Sequence, residues 1–359
     1  MKPLTSISII VLATFLFSTF GASQPSQSSS EGRAIVEPLE PFIPEAMAPE
    51  FIGGIAGLAP ASTGWVVLDA GNHRLVQLNQ QGQALATYGQ RGRGPGEFVQ
   101  PDQVRTRNLD AVPFDSPPAE TWVYDRGTRR ILRFRAEAET QQITLSSHAD
   151  SFCLQGNRLY VATGPATEGL IDMYNFEGEL LDEGIGPIDT VMVDGYQGPV
   201  SSALGAENSV QLECMDDETF LAVYENRPLV RKIDRTGNIL QEWTLRGGIL
   251  DVVAERRDDM ISRNLERSER QGYPTVPIAW NTTLLDDGSA LIALPSAQFH
   301  RIDPSTGEQS WYVYQDVQNM DSDSSFLNLW HVTPSGQDGH LLAADPQEAM
   351  LYRVTLKDE

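Results

Sequence analysis

Six times along this chain a short apolar strand runs into a polar turn and then into a second strand, and few folds accommodate such a repeat. The copy from Gly64 to Phe98 is the clearest. Trp65-Val66-Val67-Leu68 is too short for a helix and rich in β-formers. Asp69-Ala70-Gly71-Asn72 is turn chemistry, because Gly and Asn tolerate positive φ and Asp bonds its own backbone. Arg74 to Asn79 reads as a half-buried strand, Gln80-Gln81-Gly82 turns the chain again, and Ala84 to Tyr88 is a third strand. Gly92-Arg93-Gly94-Pro95-Gly96-Glu97-Phe98 ends this meander, since Pro lacks a donor and Gly adds backbone entropy. It reads as a corner leading to the next sheet.

The other copies pair Trp122–Tyr124 with Ile131–Phe134, Leu159–Ala162 with Leu170–Tyr174, and Phe220–Tyr224 with Leu229–Ile233. The last two pair Ala290–Leu294 with Phe299–Ile302, and Leu341–Ala344 with Met350–Val354. Innermost strands should precede them at Ile52–Leu58, Asp102–Thr106, Ser151–Leu154, Val210–Glu213, Trp280–Leu285 and Leu329–Thr333. An outer strand follows every unit but the last, which stops at Glu359. Ala34-Ile35-Val36 is a spare strand near the other end. One strand missing and one spare is what a closed ring predicts, and closure removes an aggregation-prone edge.

The run from Leu68-Asp69-Ala70-Gly71-Asn72-His73-Arg74 to Gly92–Phe98, with Pro101 beyond, resembles an NHL-type β-propeller repeat. The likeness is specific over about this one repeat; elsewhere only the strand spacing survives. It implies an all-β, six-bladed propeller, a scaffold used mainly to bind proteins or small ligands. Fold alone does not assign function.

Met1-Lys2, an apolar stretch from Ile7 to Phe20 and the small residues Gly21-Ala22-Ser23 have the layout of a cleavable export signal. The apolar stretch falls short of the ~20 residues of a spanning helix. The expected organisation is a signal over 1–23, a Ser/Gln-rich linker over 24–33 and one propeller over 34–359, left in the periplasm or outside the cell with no stable membrane anchor. A net charge of −23 repels phosphate backbones and excludes nucleic acid as a partner. Cys153 and Cys214 each precede an apolar strand by six residues, in neighbouring units. They are either a disulfide or two buried thiols, and spacing does not decide between them.

Two stretches break the rhythm. Leu250 to Gly272 is a helix inserted between the fourth and fifth units, with a patchy apolar stripe and acid–Arg pairs at helical spacing. It is a docked cap, or else a mobile lid or a partner-binding helix. Gly195 to Asn208, rich in Gly, Ser and Ala, reads as a surface loop.

Chemistry-bearing residues are sparse. Asp69 with Arg74 and Asp125 with Arg130 recur at one place in two repeats, as turn-locking pairs or a charged rim. His148 and His331 fall in or just before innermost strands of the third and sixth units, which face each other across a six-fold axis. With Asp150, Gln211 and Asn281 they would line one channel mouth, and Trp280 and Trp330 would wall it. These seven are the candidate ligand-binding set, and ordinary buried hydrogen bonding is the competing account. No metal site is expected: two histidines do not make a tight transition-metal site, and the loop of Asp316, Asp321 and Asp323 lacks an EF-hand's Gly and Glu. Nor is a cofactor motif present, since Gly92–Gly96 lacks the strand-to-helix setting of a phosphate loop. The leading expectation is a non-enzymatic binding propeller for an unidentified protein or small molecule. The alternative is a metal-dependent hydrolase or lyase, lactonase-like or amidating-lyase-like, working on the propeller axis.

Overall fold

A computed structural model describes residues 29–358 apart from 42, 48, 62–63, 108–119, 136–137, 165–167, 191–199, 268–274, 276, 296–297, 316–328, 335–340 and 347. The expected signal segment, most of the expected linker and the Asp316–Asp323 loop lie outside the described residues.

After β1 (Ser29–Leu39) the chain lays down antiparallel meanders. The first holds β2 (Ile55–Ala61), β3 (Gly64–Asp69), β4 (Arg74–Asn79) and β5 (Ala84–Tyr88). A corner of two short strands, β6 (Gln90–Arg91) and β7 (Glu97–Phe98), leads to β8 (Pro101–Arg107), β9 (Glu120–Asp125), β10 (Arg130–Arg135) and β11 (Ala138–Thr144). The third meander is β12 (Ser151–Gln155), β13 (Arg158–Ala162), β14 (Ile171–Asn175) and β15 (Leu180–Ile185). Helix α1 (Val200–Glu207) precedes β16 (Val210–Cys214), β17 (Thr219–Tyr224), β18 (Leu229–Asp234) and β19 (Ile239–Thr244). Helix α2 (Ile249–Arg267) precedes β20 (Asn281–Leu284), β21 (Ala290–Leu294), β22 (Gln298–Ile302) and β23 (Gln309–Gln315). The chain ends with β24 (His331–Pro334), β25 (Leu341–Asp345) and β26 (Met350–Asp358).

The first strand of each meander packs beside the first strand of the next, from β2 through β8, β12, β16, β20 and β24 and back to β2. The result is an all-β, propeller-like ring. β1 lies between the last two meanders, antiparallel to β26 (Ala34 opposite Leu356) and parallel to β23 (Arg33 opposite Val313), and so joins them into one eight-stranded sheet. Ser29 to Arg33, expected in a linker, are therefore in a strand. Their partners in β23 lie 280 positions away along the chain, Ser29 opposite Gln309 and Arg33 opposite Val313, beyond the reach of any local pattern.

Core formation explains why the strands read as apolar runs rather than alternations. Side chains alternate across a strand, and both faces of these sheets are covered. Trp65 and Val67 face the core shared with Leu342 and Leu351, whereas Val66 and Leu68 face the core shared with Val104, Val123 and Leu132. The same exchange runs around the ring, with Tyr160 and Ala162 packed against Leu212, Phe220 and Ala222. Corner residue Phe98 is fully buried in the second of these cores, beneath Gly89, where a Cβ would lie 2.3 Å from the Phe98 ring.

One departure from expectation concerns the connections. Residues 200–207, read as loop, form α1, while 195–199 are outside the described residues. Three small residues, Ser201, Ser202 and Gly205, hide any amphipathic period in so short a helix. Tertiary bonds hold it instead: Ala203 is fully buried, and Asn226 Nδ2 donates to Ala206 O at 2.8 Å. Helix α2 docks through Leu250 and Ile261, both fully buried, and through Arg257, whose guanidinium meets Glu207 and donates to Asn226 O at 2.8 Å. The cysteines are bonded: Cys153 and Cys214 sit on adjacent inner strands β12 and β16, with Cα atoms 5.6 Å apart.

Candidate functional site

One end of the ring axis carries a cavity of about 410 Å³. It lies where inner strands begin and second strands end. Its walls therefore come from two kinds of position. Asp102, Asp150, Ser209, Trp280 and Trp330 lie at or just before the start of inner strands. Arg126, Glu225 and Pro346 are the first residues beyond second strands β9, β17 and β25. Gln103, Arg105, Gln211, Asn281 and His331 reach in from the inner strands.

Local chain geometry aims several of these groups. β8 bulges between Pro101 and Gln103 against β9, and the extra residue is Asp102. A bulge re-aims the side chain it inserts, and β2 repeats the device at Ala56, which also lines the cavity. The turns between second and third strands differ just as much. In three of them the last residue before the third strand has positive φ: His73 at 54°, Arg129 at 53° and Ala349 at 53°. In the fourth meander that place is Pro228, which cannot adopt such a φ. That turn, Glu225-Asn226-Arg227-Pro228, takes another course, and Glu225 lines the cavity.

Charge at the mouth is unbalanced. Asp102, Asp150 and Glu225 feel the guanidinium of Arg126, while the other guanidinium of the lining, Arg105, is paired with Glu213. Burial pushes Asp150 up to about 8, and the neighbouring Glu225 carboxylate adds to the rise. Glu225 is also raised by burial, although Ser209 Oγ donates to it at 2.6 Å and Gln211 Nε2 donates to its other oxygen. Asp102 is raised by burial, against the attraction of Arg126.

One layer deeper the charges are paired. Arg105 Nη2 donates to Glu213 Oε1 at 2.8 Å, and its Nε donates to Phe152 O at 3.2 Å, so one side chain ties three inner strands. Burial still pushes Glu213 up to about 7 against Arg105. His331 is held down at about 4 by burial and by the Arg105 charge, so it is a neutral imidazole near pH 7. Asn281 Oδ1 accepts from Val332 N at 3.2 Å and links β20 to β24. The Trp280 and Trp330 rings stack at 4.8 Å with a 45° tilt. The Trp330 indole N–H and His331 Nδ1 are buried and meet no partner among the described residues.

Of the seven residues picked from the sequence, Asp150, Gln211, Trp280, Asn281, Trp330 and His331 line this cavity together. His148 does not: it is exposed, and its Nδ1 lies 3.4 Å from the Tyr124 hydroxyl. The chain turns between His148 and β12, so only Asp150 reaches the axis. The sequence reading missed Asp102, Arg126, Ser209 and Glu225. Alignment of the turns could have found Arg126 and Glu225, since each is the residue after its second strand. Ser209 and the bulged Asp102 carry no local signal. Among the described residues no group of three or more His, Cys, Asp or Glu side chains is placed to hold a metal ion, and no helix is long and apolar enough to cross a membrane.

No protein-family profile matches the chain, and no curated protein matches its sequence. Solved structures do match its fold. A streptogramin B lyase superposes with TM-score 0.54 at 11% identity, over 90% of this chain and 98% of that one. Virginiamycin B lyase from Staphylococcus aureus, in a catalytically inactive form with quinupristin, gives TM-score 0.51 at 11% identity, over 91% and 89%. A candidate exported protein from Bacteroides fragilis gives 0.54 at 12% identity, over 92% and 99%. Likeness at such identities establishes a propeller-like fold and says nothing of chemistry.

Proposed function

We propose that this chain is an exported binding protein that holds a small, positively charged ligand at the mouth of its axis without converting it. The eight-stranded sheet counts as two blades bridged by β1, which makes six blades of the NHL type, with α2 inserted between the fourth and fifth. The Asp-x-Gly-Asn-x-Arg turn and the buried Phe98 corner support that typing, and the ring of six inner strands supports the count. The propeller domain runs from Ser29 rather than Ala34. The N-terminal layout and a candidate exported protein among the structural neighbours support export.

One observation carries the ligand class: three half-buried carboxylates face one guanidinium beside a stacked tryptophan pair. A cavity of this size suits a small molecule. Three carboxyl groups against the one guanidinium of Arg126 favour a cation, and indole faces add cation–π attraction of about 0.5–2 kcal/mol. Titration calorimetry with glycinamide, a small cationic probe, and with acetate tests the reading. Glycinamide should bind and acetate should not, and Trp280→Ala or Glu225→Gln should abolish the heat. Binding of acetate alone would refute a cation site.

The second reading is a metal-dependent hydrolase or lyase on the same axis. It rests on Asp150, protonated near neutral pH beside Glu225, a pairing suited to proton transfer. Two structural neighbours are lyases by name. Elemental analysis finding one calcium or zinc ion per purified chain, lost in His331→Ala, would favour it.

A further inference from the structure

A second cavity of about 550 Å³ opens beside the axial one, between α1 and the residues Thr275, Pro277 and Ala279. The two share a wall of four residues, Ser209, Glu225, Trp280 and Trp330. We propose that they are one two-part site for a linear organic cation, with a protonated amine in the axial cavity and an uncharged body bearing carbonyl acceptors along the groove. This rests on the reading of the axial cavity as a cation site, and goes beyond it by setting the ligand's shape.

The chemistry of the two halves differs. Around the axis the carboxylates predominate. Among the described residues that line the groove, Glu225, at the junction, is the only charged one. Its other walls are small and neutral, from Gly205, Ala206, Thr275, Pro277 and Ala279. An uncharged chain can lie there without burying an unpaired charge. Trp330 supplies the independent observation. Its side chain lines both cavities, and its indole N–H is buried with no acceptor among the described residues. A buried donor left unmade costs about 1–3 kcal/mol, and a ligand carbonyl passing from cavity to groove would satisfy it. The groove is also preformed. Asn226 donates to Ala206 O at 2.8 Å, and Arg257 of α2 holds Glu207 at the end of α1. A preformed wall spares the ligand an ordering cost.

Calorimetry on the full exported chain tests this with three probes: glycinamide, triglycine amide, and N-acetyl-triglycine amide. Triglycine amide should bind at least ~10-fold tighter than glycinamide, because only it reaches the groove. Acetylation, which removes the charge, should cost ~10-fold or more. A Cβ on Gly205 meets nothing within 4 Å, so Gly205→Phe fills open groove space rather than packed core. In that variant the affinity ratio of triglycine amide to glycinamide should fall to about 1. Thr275→Trp narrows the groove from the opposite wall and should lower the same ratio, should Gly205→Phe fail to fold by near-UV circular dichroism. Equal binding of the two amides by the unaltered chain, or a ratio unchanged in a folded variant, overturns the two-part site and leaves the axial cation site standing. If neither amide binds, the cation site itself fails and the two-part site with it.

Discussion

Buried carboxylates play opposite parts in two regions of this fold. Asp69 and Asp125 end second strands, are fully buried, and are saturated by their own turns together with the backbone that leads into the inner strand beside them. Asp69 accepts from Gly53 N at 2.9 Å, Asn72 Nδ2 at 2.8 Å and Arg74 Nε at 3.0 Å. Asp125 accepts from Gln100 N at 2.6 Å and Thr128 Oγ1 at 2.5 Å, with Arg130 3.6 Å away. In the fourth meander the equivalent place is Tyr224, whose hydroxyl accepts from Arg231 at 2.7 Å. The acid comes one residue later, as Glu225, beyond the donors of its turn. One step along the same backbone thus separates a carboxylate that locks a turn from one that faces a cavity. The recurring Asp–Arg pairs are structural, not a charged rim.

The sharpest way to break this contrast is to remove a locking acid. Asp125→Ala leaves the Val99 and Gln100 N–H groups and the Thr128 hydroxyl without their carboxylate acceptor and Arg130 without its counter-charge, and should cost about 3–5 kcal/mol in urea unfolding. A cost under 1 kcal/mol would refute the locking role. Next comes the tie that holds the mouth together, since Asp150 and Ser209 lie just before the two bonded strands. Cys153→Ala with Cys214→Ala should cost about 2–4 kcal/mol and weaken glycinamide binding, measured on the folded protein.

Asp150→Asn should behave in the reverse sense. Its folded pKa of about 8 lies above the unfolded value, so its stabilising contribution is complete below the unfolded pKa and is lost as pH rises through about 8. The unaltered chain should therefore lose stability over that window by up to ~1.4 kcal/mol per pH unit. The Asn variant lacks this slope, so its advantage should grow from pH 5 to pH 8.5 in paired urea melts. Parallel curves would show that Asp150 is not a proton-holding group. The smallest stability change is expected for Glu225→Gln, within ~1 kcal/mol at pH 6, because an amide still accepts from Ser209. It should nonetheless remove cation binding, and a variant that still binds glycinamide would place the cation elsewhere.

Much of the fold was legible because its signals are local. Apolar runs bounded by Gly, Asn and Asp marked the second and third strands, and the unpaired strand at Ala34–Val36 pointed to its partner in β26. Trp280, Asn281, Trp330 and His331 were found by aligning equivalent positions at the starts of inner strands. Helix α1 was missed because long-range bonds from Asn226, rather than an amphipathic face, hold it. His148 was misplaced because a register argument carries no information about how the chain bends before a strand.

The residues alone determined an all-β repeat chain of net charge −23 and, through the Leu68–Phe98 motif, a resemblance to a propeller repeat, because strands covered on both faces leave apolar runs bounded by turn residues. Only the tertiary structure decided the rest. It bonded Cys153 to Cys214, turned Asp102 inward through a bulge, and set Glu225 against Ser209 and Gln211. The disulfide depends on where two meanders come to lie in the closed ring, and the other two on the register of paired strands, β8 with β9 and β16 with β17, which residue pattern alone does not set.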